Sequence, residues 1–268
     1  MTLVVASEGM GIWCKDFFMH LASFKYKDIV FENSQRSNLI LRTMFLNLEP
    51  TFPKLLPYVT WSGESFDCTE RPYPPLLKLW DKIPFLVVAF FELQAVLNIK
   101  FNLDDIRIYK NTARPYFLAY CASASYAHRE KMFGLLKNHG IAHALGKCQN
   151  NVGRNIQGTW HDLPKIYSNY RYVMAMENKQ QIGYITEKIL LALVAGSTPI
   201  YYGDSEWVKR VFGTEGIIFV NDFSSLEECA QYIINHDIQR DVNKKVYEKK
   251  WFEGDNEMYK DLASKIIV

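Results

Sequence analysis

Apolar residues along this chain occur in short continuous runs that alternate with longer stretches of helical spacing. The run at residues 2–7 predicts a buried strand, the segment at 11–23 predicts a helix, and the segment at 28–33 predicts a second strand. A strand, a helix and a strand in this order are typical of a βαβ unit with parallel strands. The beginning of the chain therefore predicts an α/β domain.

The alternation begins again near Arg114. A strand at 114–123 precedes a helix at 126–139, for which Ser125 is the expected N-cap and Gly140 the expected stop. Two separate blocks of this kind predict an α/β fold of two Rossmann-like domains facing each other across a cleft. The elements expected after these are strands at 141–145 and 170–176, a polar loop at 177–183, a helix from about Tyr184 to Ala195 ended by Gly196, strands at 198–203 and 216–221, and a helix at 224–236 in which Ser224 and Glu227 have capping-box spacing.

The domain boundaries expected from this pattern are 1–112 for an N-terminal domain, 113–245 for a C-terminal domain and 246–268 for a C-terminal helical segment. The interval 76–112 has no pattern that assigns its elements. The last segment could close the second domain or return to the first, and the sequence favours neither.

Charge, cysteine content and hydropathy exclude several classes of protein. The 31 Lys and Arg and 29 Asp and Glu residues leave a formal charge of +2, which argues against a nucleic-acid-binding surface. The five cysteines form no C-x-x-C pair, and their odd number argues against a disulfide framework or a zinc site. The longest apolar run, at 83–91, is far shorter than a membrane span. The sequence therefore predicts a soluble globular protein.

Polar residues gather between the expected strand at 170–176 and the apolar helix after it. In parallel sheets, ligands bind beyond the carboxyl ends of the strands, and the N–H groups of a helix N-terminus favour an anion. Lys188 would add a full positive charge, while the Glu187 carboxylate could accept hydrogen bonds from ribose hydroxyls. The alternative is structural: Thr186 caps the helix, Glu187 suits the helix dipole, and Lys188 is solvated. The spacing alone is compatible with both interpretations.

The segment at 177–203 contains E-N, five residues, Y-x-T-E-K, an apolar helix and A-G-x-x-P-I-Y-Y-G. This order and spacing closely resemble the donor-binding signature of the α1,3/α1,4-fucosyltransferases, glycosyltransferase family 10. The resemblance implies that Asn178, Tyr184, Glu187 and Lys188 bind the guanosine diphosphate of GDP-fucose. It further implies that Lys188 contacts the phosphates and Glu187 the ribose.

Two further segments agree with that family in order and spacing. The sequence at 121–140 is similar to the strand-to-helix segment whose arginine reaches the diphosphate, which places that role on Arg129. By itself, an arginine on a helix is typical of a solvated surface charge. The sequence GKCQNNVG at 146–153 resembles the loop that follows in such enzymes. Met176 and Lys179 depart from the family's usual residues, and we expect Lys179 to be exposed.

A candidate catalytic base lies in the N-terminal half. The sequence YVTWSGES at 58–65 resembles the T-G-E-N element of the family's acceptor domain, whose glutamate is the proposed base, and that glutamate is Glu64 here. Gly63 allows a sharp turn after the expected strand, so that the next side chain stands at the strand's end. Ser62 and Ser65 replace the family's usual neighbours.

The resemblance implies the GT-B architecture, with the acceptor bound by 1–112 and the donor by 113–245. It implies an inverting transfer of L-fucose from GDP-β-L-fucose to an N-acetylglucosamine-containing glycan, to its 3-OH rather than its 4-OH. Because no two aspartates are spaced D-x-D, we expect no metal and no cofactor besides the donor substrate. The expected partners are GDP-fucose and the glycan acceptor, without nucleic acid. We expect a cytoplasmic or peripheral location for a microbial or viral enzyme, and the Golgi lumen only for a chain trimmed of an N-terminal anchor.

Three alternatives stay open. Gly9 and Gly11 follow a strand and Glu32 ends the next one, as in an NAD(P)-binding oxidoreductase, although Cys14 stands where a third glycine is expected. The same fold could use another nucleotide sugar as donor. It could also form a non-catalytic carbohydrate- or nucleotide-binding module. Tight binding of NADH would favour the first alternative, and GDP release that requires both donor and acceptor would exclude the third.

Overall fold

The contacts between Cα atoms divide the chain into two compact units, residues 1–92 together with 250–268, and residues 93–249. Each unit contains a five-stranded sheet whose paired strands are parallel. The predicted α/β class with two Rossmann-like sheets is confirmed, whereas the boundaries at 112 and 245 stay predictions. The computed structural model describes residues 2–8, 12–43, 56–61, 75–79, 82–110, 113–153, 156, 158–236, 238 and 242–268.

The first unit has the sheet order β2-β1-β3-β4-β5. Val5 in β1 pairs with Phe31 of β2 on one side and with Leu39 of β3 on the other. The sheet therefore grows in opposite directions on the two sides of β1. The elements are β1 (Thr2–Glu8), α1 (Ile12–Ser23), β2 (Asp28–Phe31), β3 (Leu39–Thr43), β4 (Tyr58–Trp61), β5 (Leu77–Lys78), α2 (Phe85–Leu97), which begins in this unit, and, after the elements of the second unit, α8 (Glu257–Ser264).

The end of the chain packs on α1, which answers the question left open for the C-terminal segment. The Tyr259 ring of α8 lies edge-on to Phe17 of α1, with ring centroids 5.9 Å apart. The Tyr26 hydroxyl donates to the Ile266 carbonyl at 2.8 Å, and Lys25 Nζ donates to the same carbonyl at 2.7 Å. Residues 250–268 therefore belong to the first unit.

The second unit has the sheet order β10-β9-β8-β6-β7. Its first strand, β6, lies between β7 and β8, so the sheet grows first to one side and then to the other. Among the described residues, no helix combines the length and apolar composition that a membrane span requires. The elements are β6 (Tyr116–Tyr120), α3 (Ala127–Leu136), β7 (Ala142–Ala144), α4 (Leu163–Tyr167), β8 (Tyr170–Met176), α5 (Glu187–Val194), β9 (Thr198–Tyr202), α6 (Ser205–Phe212), β10 (Ile218–Phe219) and α7 (Leu226–Asn235), with 3₁₀ turns at Trp160–Asp162, Val220–Asp222 and Lys249–Trp251.

The expected stop of α5 at Gly196 is confirmed by its backbone. Gly196 has a φ of +70°, the left-handed conformation that ends many helices and that glycine adopts without steric cost. A Cβ at this position would lie 2.7 Å from the Tyr109 carbonyl oxygen and 2.8 Å from Arg114 Nη2. Arg114 Nη2 itself donates to the Ala195 carbonyl at 3.0 Å, so an arginine occupies the space that the glycine leaves.

Three predicted helix starts are wrong. Ser125 is not the N-cap of α3, because its hydroxyl bonds the Glu130 carboxylate and Tyr126 occupies the cap position. Helix α5 begins at Glu187 rather than Tyr184, and Thr186 is its N-cap. The N-cap of α7 is Ser225, which accepts from the Glu228 N–H at 3.1 Å, so the predicted pair of Ser224 and Glu227 is displaced by one residue.

Candidate functional site

The second sheet changes its direction of growth between β6 and β8, and this is where open α/β sheets bind ligands. After β6 the chain continues through α3 to β7, whereas after β8 it continues through α5 to β9 on the other side. The two connections diverge and leave a crevice at the carboxyl ends of these strands. Arg129 lies on the first connection, and Glu177 and Lys188 lie on the second. The fold thus brings together residues that are about fifty positions apart in the sequence.

Glu177, the residue after β8, is the most connected group of this site. Its side chain is fully buried. Oε1 accepts hydrogen bonds from the Thr186 backbone N–H at 2.7 Å and from the Thr186 hydroxyl at 3.0 Å. Oε2 lies 2.8 Å from the same hydroxyl and accepts from Lys188 Nζ at 2.9 Å. Burial raises the pKa of Glu177, while the Lys188 charge and the Thr186 N–H oppose that rise. Since the Thr186 N–H and the Lys188 ammonium can only donate, the geometry suits an ionised carboxylate.

Lys188 is held by two oxygens and lies near a third. Its ammonium donates to Glu177 Oε2 and to Thr186 Oγ1, each at 2.9 Å, and Glu187 Oε1 is 4.0 Å away. Burial lowers the pKa of Lys188, but the two carboxylates outweigh this effect and raise it overall. An ammonium has three N–H donors, and for the third one the described residues offer no hydrogen-bond partner. The side chain is 23% exposed.

Arg129, in the first turn of α3, is not the solvated surface charge that its position alone suggested. It is 4% exposed, and its guanidinium lies over the Tyr126 ring at 4.5 Å from the centroid. Nη2 donates to the Ala124 carbonyl at 2.7 Å, and the buried Nε has no hydrogen-bond partner in the described part of the chain. Its positive charge opposes the rise in the pKa of Lys188.

His128 connects the two sides of the crevice, and the sequence pattern did not single it out. Its Nε2 lies 2.9 Å from the Glu177 carbonyl oxygen, so this nitrogen carries the proton and donates. The imidazole also lies against the Tyr202 ring at the end of β9, with centroids 4.6 Å apart. Burial lowers the pKa of His128, which favours the neutral ring. A histidine directly before the candidate arginine was the only sequence signal.

The other predicted donor residues belong to the connection between β8 and α5. Asn178 is half-buried, Tyr184 is 6% exposed, and the side chain of Glu187 is 23% exposed. Lys179 is exposed, as expected. The loop is fixed at its far end by Asp204, whose carboxylate accepts the Gly183 N–H at 2.8 Å.

The candidate base Glu64 lies outside the described residues, as do Gly63 and its serine neighbours. The strand expected before Gly63 is present as β4, which ends at Trp61. In the described ranges, no three His, Cys, Asp or Glu side chains are gathered in the way that metal ligands are. The base assignment and the donor residues stay predictions at this point.

Sequence comparison connects this site to one protein family. The family model described as Glycosyltransferase family 10 (fucosyltransferase) C-term matches residues 109–260, which include the whole crevice. A putative fucosyltransferase from Acanthamoeba polyphaga mimivirus is 33% identical over 187 residues, which are 67% of this chain and 30% of that protein. An alpha-(1,4)-fucosyltransferase from Arabidopsis thaliana is 32% identical over 130 residues, which are 42% of this chain and 32% of that protein. The matches span less than a third of the length of these curated relatives.

Comparison with solved structures finds a similar fold over nearly the whole chain. A crystal structure of an alpha1,3-fucosyltransferase with GDP matches with a TM-score of 0.62 and covers 98% of this chain and 88% of that one. The two sequences are 17% identical, so the likeness shows the fold. The GT-B fold expected from the resemblance is confirmed.

Proposed function

The chain belongs to glycosyltransferase family 10, the fucosyltransferases, and on that premise we propose that it transfers L-fucose from GDP-β-L-fucose to a sugar hydroxyl. The observation that carries this proposal is the group formed by Glu177, Thr186 and Lys188 at the switch point of the second sheet, which a hydrogen bond from His128 joins to the helix of Arg129. Cations with unused N–H donors at such a place suit a nucleotide diphosphate.

The donor half of the site would divide its work between cations and polar groups. Lys188 and Arg129 bind the two phosphates, since each combines a positive charge with N–H donors. Glu187 accepts hydrogen bonds from the ribose hydroxyls, while Asn178 and Tyr184 extend the same surface. The start of α5 adds backbone N–H groups that favour negative charge. The solved alpha1,3-fucosyltransferase of like fold holds GDP, which supports this nucleotide for the present chain.

Bond cleavage at the anomeric carbon transfers negative charge to the departing GDP. A diphosphate is a good leaving group when cations stabilise that charge, so no general acid is required, unlike in glycosidases with their two carboxyl groups. Arg129 and Lys188 supply this stabilisation in the proposal. The ion pair with Glu177 keeps the Lys188 ammonium protonated over the physiological pH range.

The acceptor half of the reaction is assigned to Glu64. As the general base, it takes the proton of the incoming hydroxyl while that oxygen attacks the anomeric carbon from the side opposite GDP. One such displacement converts β-linked donor fucose into an α-linked product. We propose an N-acetylglucosamine-containing glycan as the acceptor, with its 3-OH as the attacking group. The support for these assignments is the family membership and the sequence at 58–65.

The proposal includes activity without a divalent metal. The absence of a D-x-D pair in the sequence supports it, because glycosyltransferases that use such a pair hold the diphosphate through a metal ion. In this chain, two side-chain cations take that role. Initial rates measured with and without an excess of EDTA are expected to agree. Loss of activity on chelation, with recovery on adding Mg²⁺ or Mn²⁺, would contradict metal independence.

The decisive experiment is a screen of the whole chain with GDP-fucose against a set of N-acetylglucosaminides that differ in which hydroxyl is blocked. GDP release that requires both substrates is expected, and NMR of the product is expected to show an α1,3 linkage. UDP-glucose and GDP-mannose serve as donors for comparison. Turnover with one of these and not with GDP-fucose would contradict the donor assignment. Binding of GDP-fucose without turnover on any acceptor would favour a non-catalytic module.

A further inference from the structure

We propose that Glu177 is a positioning residue for the nucleotide diphosphate, because its buried carboxylate fixes the Lys188 ammonium and the first turn of α5 where phosphate binds. The inference rests on the proposed function, since the position of Lys188 matters only if it meets a phosphate. Glu177 would not contact the ligand itself. It would act through Lys188 and through the Thr186 backbone.

The hydrogen bonds of Glu177 reach three elements around the crevice, β9, α3 and α5. Its backbone N–H donates to the Tyr202 carbonyl at the end of β9 at 2.8 Å. Its backbone carbonyl accepts from His128 Nε2, on the helix that carries Arg129, at 2.9 Å. Its side chain accepts from Thr186 and Lys188, at the start of α5. Glu177 is therefore bonded both to the helix that carries Arg129 and to the start of the helix that carries Lys188, the two candidate phosphate-binding cations.

The surrounding fold makes room for this carboxylate. A Cβ at Gly203 would lie 2.9 Å from Glu177 Cγ and 2.6 Å from the Tyr201 hydroxyl oxygen. Both distances are shorter than side-chain carbon atoms normally approach other groups. Glycine at 203, directly after β9, therefore leaves the space in which the Glu177 side chain is buried.

The arrangement is better suited to orienting Lys188 than to stabilising the fold. Burying an ion pair costs desolvation free energy, and apolar residues of similar volume often stabilise a protein equally well or better. Here the side chain of the acid is fully buried, while the side chain of its partner Lys188 is 23% exposed. The pair thus has one end inside the protein and one end in the crevice. Two of the three N–H donors of the Lys188 ammonium bond Glu177 Oε2 and Thr186 Oγ1, and the third is left for a ligand.

Loss of the Glu177 charge would remove this fixation. Lysine has a flexible stem of four carbons, so its ammonium takes a defined position only when hydrogen bonds hold it. A glutamine at 177 has one acceptor oxygen, and when this oxygen accepts from the Thr186 backbone N–H, the NH₂ group faces the Lys188 ammonium, which can only donate. The Lys188 ammonium would no longer be held in one position. Its side chain would then be ordered only when the ligand binds, and this ordering reduces the affinity.

The test compares GDP with guanosine, which lacks the phosphates, by isothermal titration of the full chain. Glu177→Gln is expected to weaken GDP binding about tenfold, within the range for a lost charge-assisted hydrogen bond. Guanosine binding should change by less than about twofold, because the nucleoside does not contact Lys188. Glu206→Gln is the matched control, since Glu206 is 86% exposed on α6 and pairs with Lys209. It should alter neither affinity.

A double-mutant cycle with Lys188→Met tests the route of the effect. In the Lys188→Met background, Glu177→Gln should cause a clearly smaller loss of GDP affinity than in the unmodified chain, because only its action through the Thr186 backbone is left. If Glu177→Gln does not fold, Glu177→Asp keeps the charge but withdraws it by one methylene, and the same selective loss for GDP is expected.

Two outcomes would overturn the inference while leaving the proposed function intact: unchanged GDP affinity in Glu177→Gln, or equal weakening of GDP and guanosine, which would mean a structural role alone. Failure of the unmodified chain to bind GDP would instead overturn the proposed function itself. The measurements on the unmodified chain and on the variants therefore separate the two failures.

Discussion

The guanidinium of Arg129 makes a cation–π contact with the Tyr126 ring, with its central carbon 4.5 Å from the ring centroid. The same guanidinium donates through Nη2 to the Ala124 carbonyl at 2.7 Å. Both partners come from the loop between β6 and α3, so the loop that leads to the helix also holds its arginine. A planar cation is required for this pair of contacts, because an ammonium cannot stack and donate in the same way.

Arg129→Lys is therefore expected to weaken GDP binding by about tenfold or more, although the charge is kept. The lysine loses the ring contact and the fixed direction of its donors. Guanosine binding should be nearly unchanged, which isothermal titration can measure directly. Lys131→Met is the matched control on the same helix, because Lys131 is 53% exposed and pairs with Glu227. Equal losses for GDP in both variants would contradict a role of Arg129 at the phosphates.

Glu64→Gln tests the base assignment. The amide keeps the size of the side chain but cannot take a proton, so kcat should fall by about 100- to 10,000-fold. The affinity for GDP should stay the same, since the base acts on the acceptor hydroxyl. Stopped reactions analysed for fucosylated product, together with titration of GDP, separate these two effects. Turnover at the original rate would show that another group accepts the proton.

Strong local patterns predicted the central strands of the second unit well. The sequence predicts the strand at 170–176 with its observed bounds, since Asn169 and Glu177 border a run that is apolar or aromatic except for Arg171. The end of the helix at Gly196 is also predicted by the sequence, because a glycine after an apolar helix is a local signal for a helix end. Such signals need no knowledge of the rest of the fold.

The errors occurred where distant residues decide the local structure. Apolar spacing continues through Tyr184 and Ile185 and therefore predicts a start of α5 that is too early. In the structure, the Glu177 carboxylate accepts the Thr186 N–H, and Thr186 is the N-cap. Ser224 and Ser225 each have a glutamate three positions later, so the spacing alone did not select the cap.

The candidate site was predicted from a motif, but its internal arrangement was not. The motif assigned Lys188 to phosphate without indicating that Glu177 pairs with it. The contact of His128 with the Glu177 carbonyl joins two connections that are separate in the sequence. Only the order of the strands in the sheet brings these groups together.

The two glycines at 196 and 134 provide an opposed pair of stability predictions. Gly196→Ala places a Cβ on a residue with φ of +70° and within 2.8 Å of Arg114 Nη2, so it should destabilise the protein by about 1–3 kcal/mol. Gly134→Ala lies inside α3, where a Cβ meets nothing within 4 Å, so it should stabilise by up to about 1 kcal/mol. Urea unfolding measures both. Shifts of the same sign would contradict this account.

The pH dependence of stability should depend on His20 in the first unit. His20 packs against the rings of Phe91 and Tyr259, at 5.3 and 5.8 Å between centroids, and burial lowers its pKa below the ordinary value of 6.5. The unfolded chain therefore binds this proton more readily than the folded one. Its contribution to stability is complete above about pH 6.5 and is lost as the pH falls through the lower folded-state pKa.

His20→Phe removes this titration while keeping an aromatic ring at the position. Between pH 7 and pH 5, the free energy of unfolding should fall less steeply in the variant than in the unmodified protein, by no more than about 1.4 kcal/mol per pH unit for one proton. Chemical unfolding at a series of pH values gives both slopes, and the difference at pH 8 accounts for any change in packing, because His20 is neutral there in both states. Parallel curves would show that His20 does not take up its proton on unfolding, and a steeper fall in the variant would reverse the sign expected from burial.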